Sequence, residues 1–244
     1  SADGNNLRKA FGVHTALDMA GSAIDIFITY LLLEKAGKTA AYKELFAISI
    51  IPAILGLLMF FFIKEKRAHA DAKKREPFWQ NIKKLDGQLK LYLFVAFSFT
   101  LGNSSNAFLL LRAKSVGFDD NNVILLYLIF NLTASILSIP LGRLSDRVGR
   151  KKLLVAGYVV FSAVYLGFAF ASSQFTIIIA FVLYGFYSAM ITGVERAFIA
   201  EISPVDLKGS MLGLHSTIVG IALLPSSVIA GLLWVRFGAS SPFL

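Results

Sequence analysis

Residues 142–152 read Gly142-Arg143-Leu144-Ser145-Asp146-Arg147-Val148-Gly149-Arg150-Lys151-Lys152. Apolar stretches stand on both sides of this basic segment, at 123–141 and 153–172. Crossing a bilayer takes about 20 mostly apolar residues, and lipid leaves open strands no way to satisfy their backbone. Both flanks are therefore expected to be membrane-spanning helices, with the segment as the turn between them. Gly142 and Gly149 permit a tight turn. Asp146 is an anion suited to a helix N-terminus. The basic residues hold the turn on the cytoplasmic side.

Five further stretches have the same character, at 11–33, 45–63, 89–111, 175–198 and 211–235. The expected fold class is all-α, a polytopic membrane protein of seven spans. Composition agrees: 56% of the 244 residues are hydrophobic, 16% are charged, and mean hydropathy is +0.68. A soluble domain has about 45–50% apolar and about 25% charged residues. The formal net charge of +9 would suit nucleic acid if the basic residues formed one patch. They sit instead in loops beside apolar spans, which reads as topology and contact with anionic lipid, with no nucleic-acid partner. Zero cysteines exclude disulfides, thiolate metal sites and a cysteine nucleophile. No paired catalytic acids, His-Glu zinc pattern or nucleophile motif is present. Neither an enzyme, a metal site nor a cofactor is expected.

Loop charge fixes orientation. Alternate loops, beginning with Arg8 and Lys9 and including 64–90 and 143–152, hold seventeen Lys and Arg; the other set holds six. The richer set is expected in the cytoplasm. The longest loop, 64–88, is strongly basic and suits a linker between two helical groups. The expected organisation is 1–63 as the end of one helical half, 64–88 as a cytoplasmic linker, and 89–244 as a second, incomplete half. A faint repeat supports this: Gly12-Val13-His14-Thr15 opens the first span and Gly213-Leu214-His215-Ser216 the seventh. Six-span parallel repeats are one carrier architecture. The chain starts at Ser1 and stops after Pro242-Phe243-Leu244, and a truncated chain is the expectation.

The first span carries Thr15, Asp18, Ser22, Asp25 and Thr29, spaced to share one helical face. Asp25 falls near mid-membrane, where an ionisable side chain is a functional candidate by default. Proton coupling and a structural ion pair are both open for it; Asp18 lies nearer the cytoplasm. The third span holds Ser98, Thr100, Gly102, Asn103, Ser104, Ser105 and Asn106. Such a cluster can unwind a helix where it lines a cavity.

The 142–152 segment resembles the signature loop of the major facilitator superfamily, Gly-x-Leu-x-Asp-Arg-x-Gly-Arg-Arg/Lys. Leu101–Ala113 and Val194–Trp234 resemble prokaryotic permeases of that superfamily. The resemblance implies a twelve-helix secondary carrier, of which this chain would hold the last two spans of the N-terminal half and the first five of the C-terminal half. It implies a small-molecule solute moved by alternating access, with protons as a candidate coupling ion. The bilayer and the missing helices of the same chain would be its partners, in a prokaryotic plasma (inner) membrane. It implies a conformational lock at Gly142, Asp146, Arg147, Gly149 and Arg150, with Glu195 and Arg196 as facing groups. It places Asn103, Ser104, Asn106, Tyr184, Tyr187 and Ser188 at a substrate cavity. Asp25 and Asp18 are the proton-coupling candidates. Thr15 and Asp25 depart from the residues usual in related sequences, Arg and Gly. The alternative function is a non-transporting receptor or scaffold on a transporter fold.

Overall fold

A computed structural model describes residues 4–36, 38–62 and 86–244, with side chains described over 17–33, 44–59, 61–62, 86–205 and 207–244. The linker up to residue 85, and the side chains at Leu7–Gly12, His14 and Thr15, lie outside the described residues. Eight α-helices are described: α1 Gly4–Ala36, α2 Lys38–Phe60, α3 Gly87–Gly102, α4 Asn106–Ser115, α5 Asp120–Val148, α6 Arg150–Phe170, α7 Gln174–Ile202 and α8 Lys208–Phe237. They form two compact units, Ser1–Ile26 with Asp86–Leu244, and Phe27–Leu85.

Among the described residues, five segments are long and apolar enough to cross a membrane: Gly87–Ser115, Asp120–Val148, Arg150–Phe170, Gln174–Ile202 and Lys208–Phe237. The other two expected spans fall in α1 and α2, where α2 holds a shorter apolar run, Glu44–Met59. Helix ends follow local chemistry. Asp119 caps α5 by accepting from the Asn122 N–H at 2.8 Å, and Ser173 caps α7 by accepting from the Thr176 N–H at 3.3 Å.

In the larger unit α7 is the central helix, with α5 and α6 packed along it, while α3 packs on α8. Its apolar window is 56% buried, against 17% for that of α8. Glycines let α7 approach closely, as small residues do at membrane helix interfaces. A Cβ at Gly185 would stand 2.7 Å from the Phe130 carbonyl oxygen and 2.7 Å from Thr133 Cβ on α5. At the opposite end of the bundle from the 142–152 turn, Arg112 of α4 holds the end of α6. Its guanidinium donates to the Phe168, Ala169 and Ala171 carbonyls at 2.9, 3.1 and 2.9 Å, satisfying acceptors that a helix C-terminus leaves open. Outward faces are apolar, with Leu91, Phe94, Val159 and Phe170 exposed, as lipid as solvent requires.

The charge asymmetry of the loops gives a first expected result. Single cysteines at Ala70 and Val148, in a chain with none of its own, should be labelled by an impermeant thiol reagent from the same side of the membrane. Labelling from opposite sides overturns the topology.

Candidate functional site

The 142–152 turn is tighter than two glycines require. Helix α5 runs through Gly142 and Asp146 to Val148, where Ser145 Oγ donates to the Gly142 carbonyl at 2.6 Å. Gly149 alone makes the turn, at φ 95°, and is the N-cap of α6. That is backbone glycine adopts readily and other residues rarely. Gly142 is therefore helical rather than part of the turn, and Asp146 sits in the last turn of α5 rather than at the cap.

Asp146 and Arg150 flank Gly149 and face each other, with Asp146 Oδ1 3.3 Å from Arg150 Nη2. The Arg150 side chain is only 10% exposed. Its Nη1 donates to the Ala197 carbonyl at 2.9 Å and pairs with the Glu201 carboxylate. One guanidinium thus ties the α5–α6 turn to the end of α7. Arg147 lies on the exposed side of that turn, and Arg196 is exposed on α7. Glu195 turns instead into the bundle, where its carboxylate accepts from the Tyr158 hydroxyl at 3.2 Å. Glu201 was not picked out from the sequence; an acid one turn before Pro204, at the same end of the bundle as the basic turn, was the available signal.

A second feature lies within the bundle. The expected third span is broken: α3 stops at Gly102, Asn103–Ser105 are non-helical, and α4 restarts at Asn106 with Ser105 as its cap. A cavity of about 330 Å³ opens beside the break. Asn103 and Asn106 line it, as do Tyr184, Tyr187 and Ser188 of α7 and Asp18, Met19 and Ser22 of α1. Tyr127, Phe130 and Asn131 of α5 complete the wall together with Ile191 and Thr192. Five of the six residues expected at a cavity meet here. Ser104 is not in the wall; it is buried, 5% exposed. Asp25 is exposed and does not line the cavity.

Tyrosines orient the amides. Tyr165 Oη donates to Asn103 Oδ1 at 3.0 Å, and Tyr184 Oη donates to Asn106 Oδ1 at 2.9 Å. With their oxygens engaged, these amides keep N–H groups to donate. Asn131 is held the other way: its Nδ2 donates to the Tyr127 carbonyl at 2.8 Å, which leaves its oxygen as an acceptor. Rings support the wall, with Phe130 and Tyr184 centroids 5.0 Å apart and Tyr184 and Tyr187 5.5 Å apart. The result is a concave surface with donors, acceptors and aromatic faces, of a size at the low end for small-molecule sites. Tyr127 and Tyr165 were missed from sequence, because tyrosines in apolar helices give no sign of which way they point.

A bundle of long apolar helices around an amide- and tyrosine-lined cavity, with a helix broken at its wall, defines a polytopic helical membrane protein built to admit polar groups to its interior. The chain belongs to the major facilitator superfamily: the profile of that family matches residues 91–244. It is 36% identical over 239 residues to an uncharacterized MFS-type transporter of Methanocaldococcus jannaschii, covering 93% of this chain and 58% of the relative. It is 35% identical over 155 residues to a multi-drug resistance efflux pump homolog of Lactococcus lactis, covering 62% of this chain and 37% of the relative. It is 31% identical over 84 residues to a D-xylose transporter of Levilactobacillus brevis, covering 34% of this chain and 18% of the relative. The chain thus spans well under two thirds of the length of these relatives.

Proposed function

We propose that the chain is part of a secondary active transporter that moves a small solute by alternating access. In this reading it supplies the last two helices of an N-terminal half and the first five of a C-terminal half, joined by the 64–88 linker. The observation that carries it is the cavity of about 330 Å³ at the break between α3 and α4. Its tyrosine-oriented amides offer hydrogen bonds that a merely structural interior would use up. The turn held by Arg150 supplies the second requirement, a cytoplasmic contact that can be made and broken. Archaeal and bacterial relatives favour a prokaryotic plasma membrane. Asp18 is the carboxylate within reach of a solute; Asp25 stands outside the wall.

The names of two relatives, a drug efflux pump homolog and a D-xylose transporter, suggest two solute classes to try. The full-length protein in liposomes is tested with D-xylose and with ethidium as probes. Movement of either is expected to fall roughly tenfold in Asn106→Ala, since a lost hydrogen bond in a polar site costs about 1–2 kcal/mol. Wild-type protein that binds a probe but moves neither leaves the receptor or scaffold reading. Asn106→Ala transporting at the wild-type rate removes this cavity as the path.

A further inference from the structure

Beyond α8 the chain folds back onto the end of the bundle opposite the 142–152 turn. Gly238 ends the helix at φ 96°, backbone that suits glycine, and its N–H donates to the Trp234 carbonyl at 3.0 Å. The Gly238 carbonyl accepts in turn from the Ser241 N–H at 3.2 Å and from Ser241 Oγ at 2.8 Å. Pro242 stiffens the short 3-10 turn Ser241–Phe243 that follows. These local bonds send Phe243 inward, to 2% exposure, while Phe237 before the turn and Leu244 after it stay exposed. We propose that Phe243 is a positioning residue for the cavity: through the ring of Tyr165 it fixes the direction of the Asn103 amide in the cavity wall.

Ring contacts carry the first half of the argument. Phe243 meets Tyr165 edge-on, with centroids 5.5 Å apart and planes at 67°, and meets Phe168 at 5.7 Å. Phe161, one turn before Tyr165 on α6, packs on the same tyrosine at 4.0 Å. Phe161 and Phe168 belong to α6 and move with it. Among the described residues, Phe243 is the ring that reaches Tyr165 from another element. The α6 backbone beneath is held separately, by the three carbonyls that accept from Arg112. What Phe243 adds is therefore the direction of the Tyr165 ring rather than the place of the helix.

The hydroxyl at the tip of that ring carries the second half. Tyr165 Oη donates to Asn103 Oδ1 at 3.0 Å, and Ser104 faces the same hydroxyl with its backbone N–H and its side chain. One phenol thus holds two of the three non-helical residues between α3 and α4. Asn103 lines the cavity, whereas Tyr165 and Phe243 do not. A phenol hydroxyl can change direction only if its ring changes torsion, so a partner that fixes the ring also fixes the amide bonded to it. The use of this amide in solute recognition rests on the carrier reading; its positioning by Phe243 does not.

The test uses the full-length protein in lipid nanodiscs, without solute, with asparagine isotope-labelled at the side-chain amide nitrogen and observed by NMR. Asn103→Ala assigns the Asn103 signal pair by its loss. Phe243→Ala is expected to displace that pair, as is Tyr165→Phe. Adding Phe243→Ala to Tyr165→Phe should displace it no further, because the route runs through the hydroxyl. Phe237→Ala, which removes an exposed ring at the same end of the bundle, should leave the pair in place. A pair unmoved in Phe243→Ala overturns the proposal, and so does a displacement by Phe243→Ala that persists in Tyr165→Phe. Should Phe243→Ala not fold, Phe243→Leu, which keeps bulk without the ring, decides by the same two comparisons. Equilibrium binding of D-xylose and of ethidium follows. Phe243→Ala should weaken whichever binds by about 2- to 10-fold, the worth of one aromatic pair, and should add nothing to Tyr165→Phe. Unchanged affinity overturns the part of Phe243 in recognition. Wild-type protein that binds neither probe counts against the carrier reading, and a displaced Asn103 pair still supports the positioning.

Discussion

Arg150→Gln should reduce transport by the full-length protein by an order of magnitude or more, while the protein still inserts. The guanidinium is 10% exposed and holds three groups at once: the Ala197 carbonyl, the Glu201 carboxylate and Asp146. Glutamine keeps much of the length but loses the charge and the fork. A hydrogen bond to a charged group is worth about 1.5–3 kcal/mol. The exposed position of Glu201, whose side chain is 59% accessible, discounts that contact for solvent screening. If the contact is made only while the cytoplasmic side is closed, its loss moves the conformational equilibrium by about 5–150-fold, the usual range for a coupling of about 1–3 kcal/mol. The measurement pairs transport with thiol accessibility of a cysteine at Val148. Lower transport with higher accessibility supports a lock. Lower transport with unchanged accessibility assigns Arg150 to static packing, and unchanged transport removes it from the mechanism. Asp146→Asn, which leaves the Glu201 and Ala197 contacts in place, is expected to have a smaller effect of the same sign.

Gly185→Ala should lower stability strongly, and Gly157→Ala should lower it less. Both glycines are buried where α7 meets a neighbour, but their surroundings differ. A methyl at Gly185 meets the Phe130 carbonyl oxygen and Thr133 Cβ, each at 2.7 Å. Neither can move without shifting the α5 backbone. A methyl at Gly157 meets Ile191 Cδ1 at 2.6 Å and Cγ1 at 3.0 Å, side-chain atoms that yield more readily than backbone, although the β-branch of Ile191 limits how far. Overpacking of the first kind costs about 1–3 kcal/mol, and at Gly185 it also separates Phe130 and Tyr184 in the cavity wall. Thermal unfolding of the two purified variants checks the contrast. Equal midpoints would mean that α5 and α7 are not held at this separation.

Long apolar stretches announced the spans, because a bilayer imposes a length and a composition that no soluble segment shares. The break at Asn103–Ser105 was legible too, since Gly102 and a run of small polar residues cannot sustain a helix across a membrane. Its finer consequence was not. Asn103 and Asn106 reach the cavity and Ser104 between them does not, because the path of the chain through a break follows no helical period. The turn at 142–152 was placed correctly but built differently. One left-handed glycine suffices to reverse the chain, so Gly142 is free to stay helical. The partner of Arg150 was out of reach for a related reason. Glu195, Arg196 and Glu201 all occupy the same end of α7, and only the rotation of α7 against α6 decides that Glu201 meets Arg150 while Glu195 turns toward Tyr158. Sequence spacing gives the faces of a helix; it does not say which face a neighbour takes.

The broken helix also bears on how the protein is made. At 16 and 10 residues, α3 and α4 are each shorter than the about 20 residues that cross hydrocarbon alone. Together they form the least hydrophobic of the five crossing segments: their most apolar 18 residues have a mean hydropathy of 1.3, against 2.0 to 2.2 in the other four. The amides and hydroxyls that serve the cavity are what lower it. During synthesis this segment leaves the ribosome before α5, α6 and α7, the helices that later shelter its polar groups. It therefore gains least from partitioning into lipid by itself and most from waiting at the translocon until those partners arrive, so that the chemistry of the cavity is set against the ease of biogenesis.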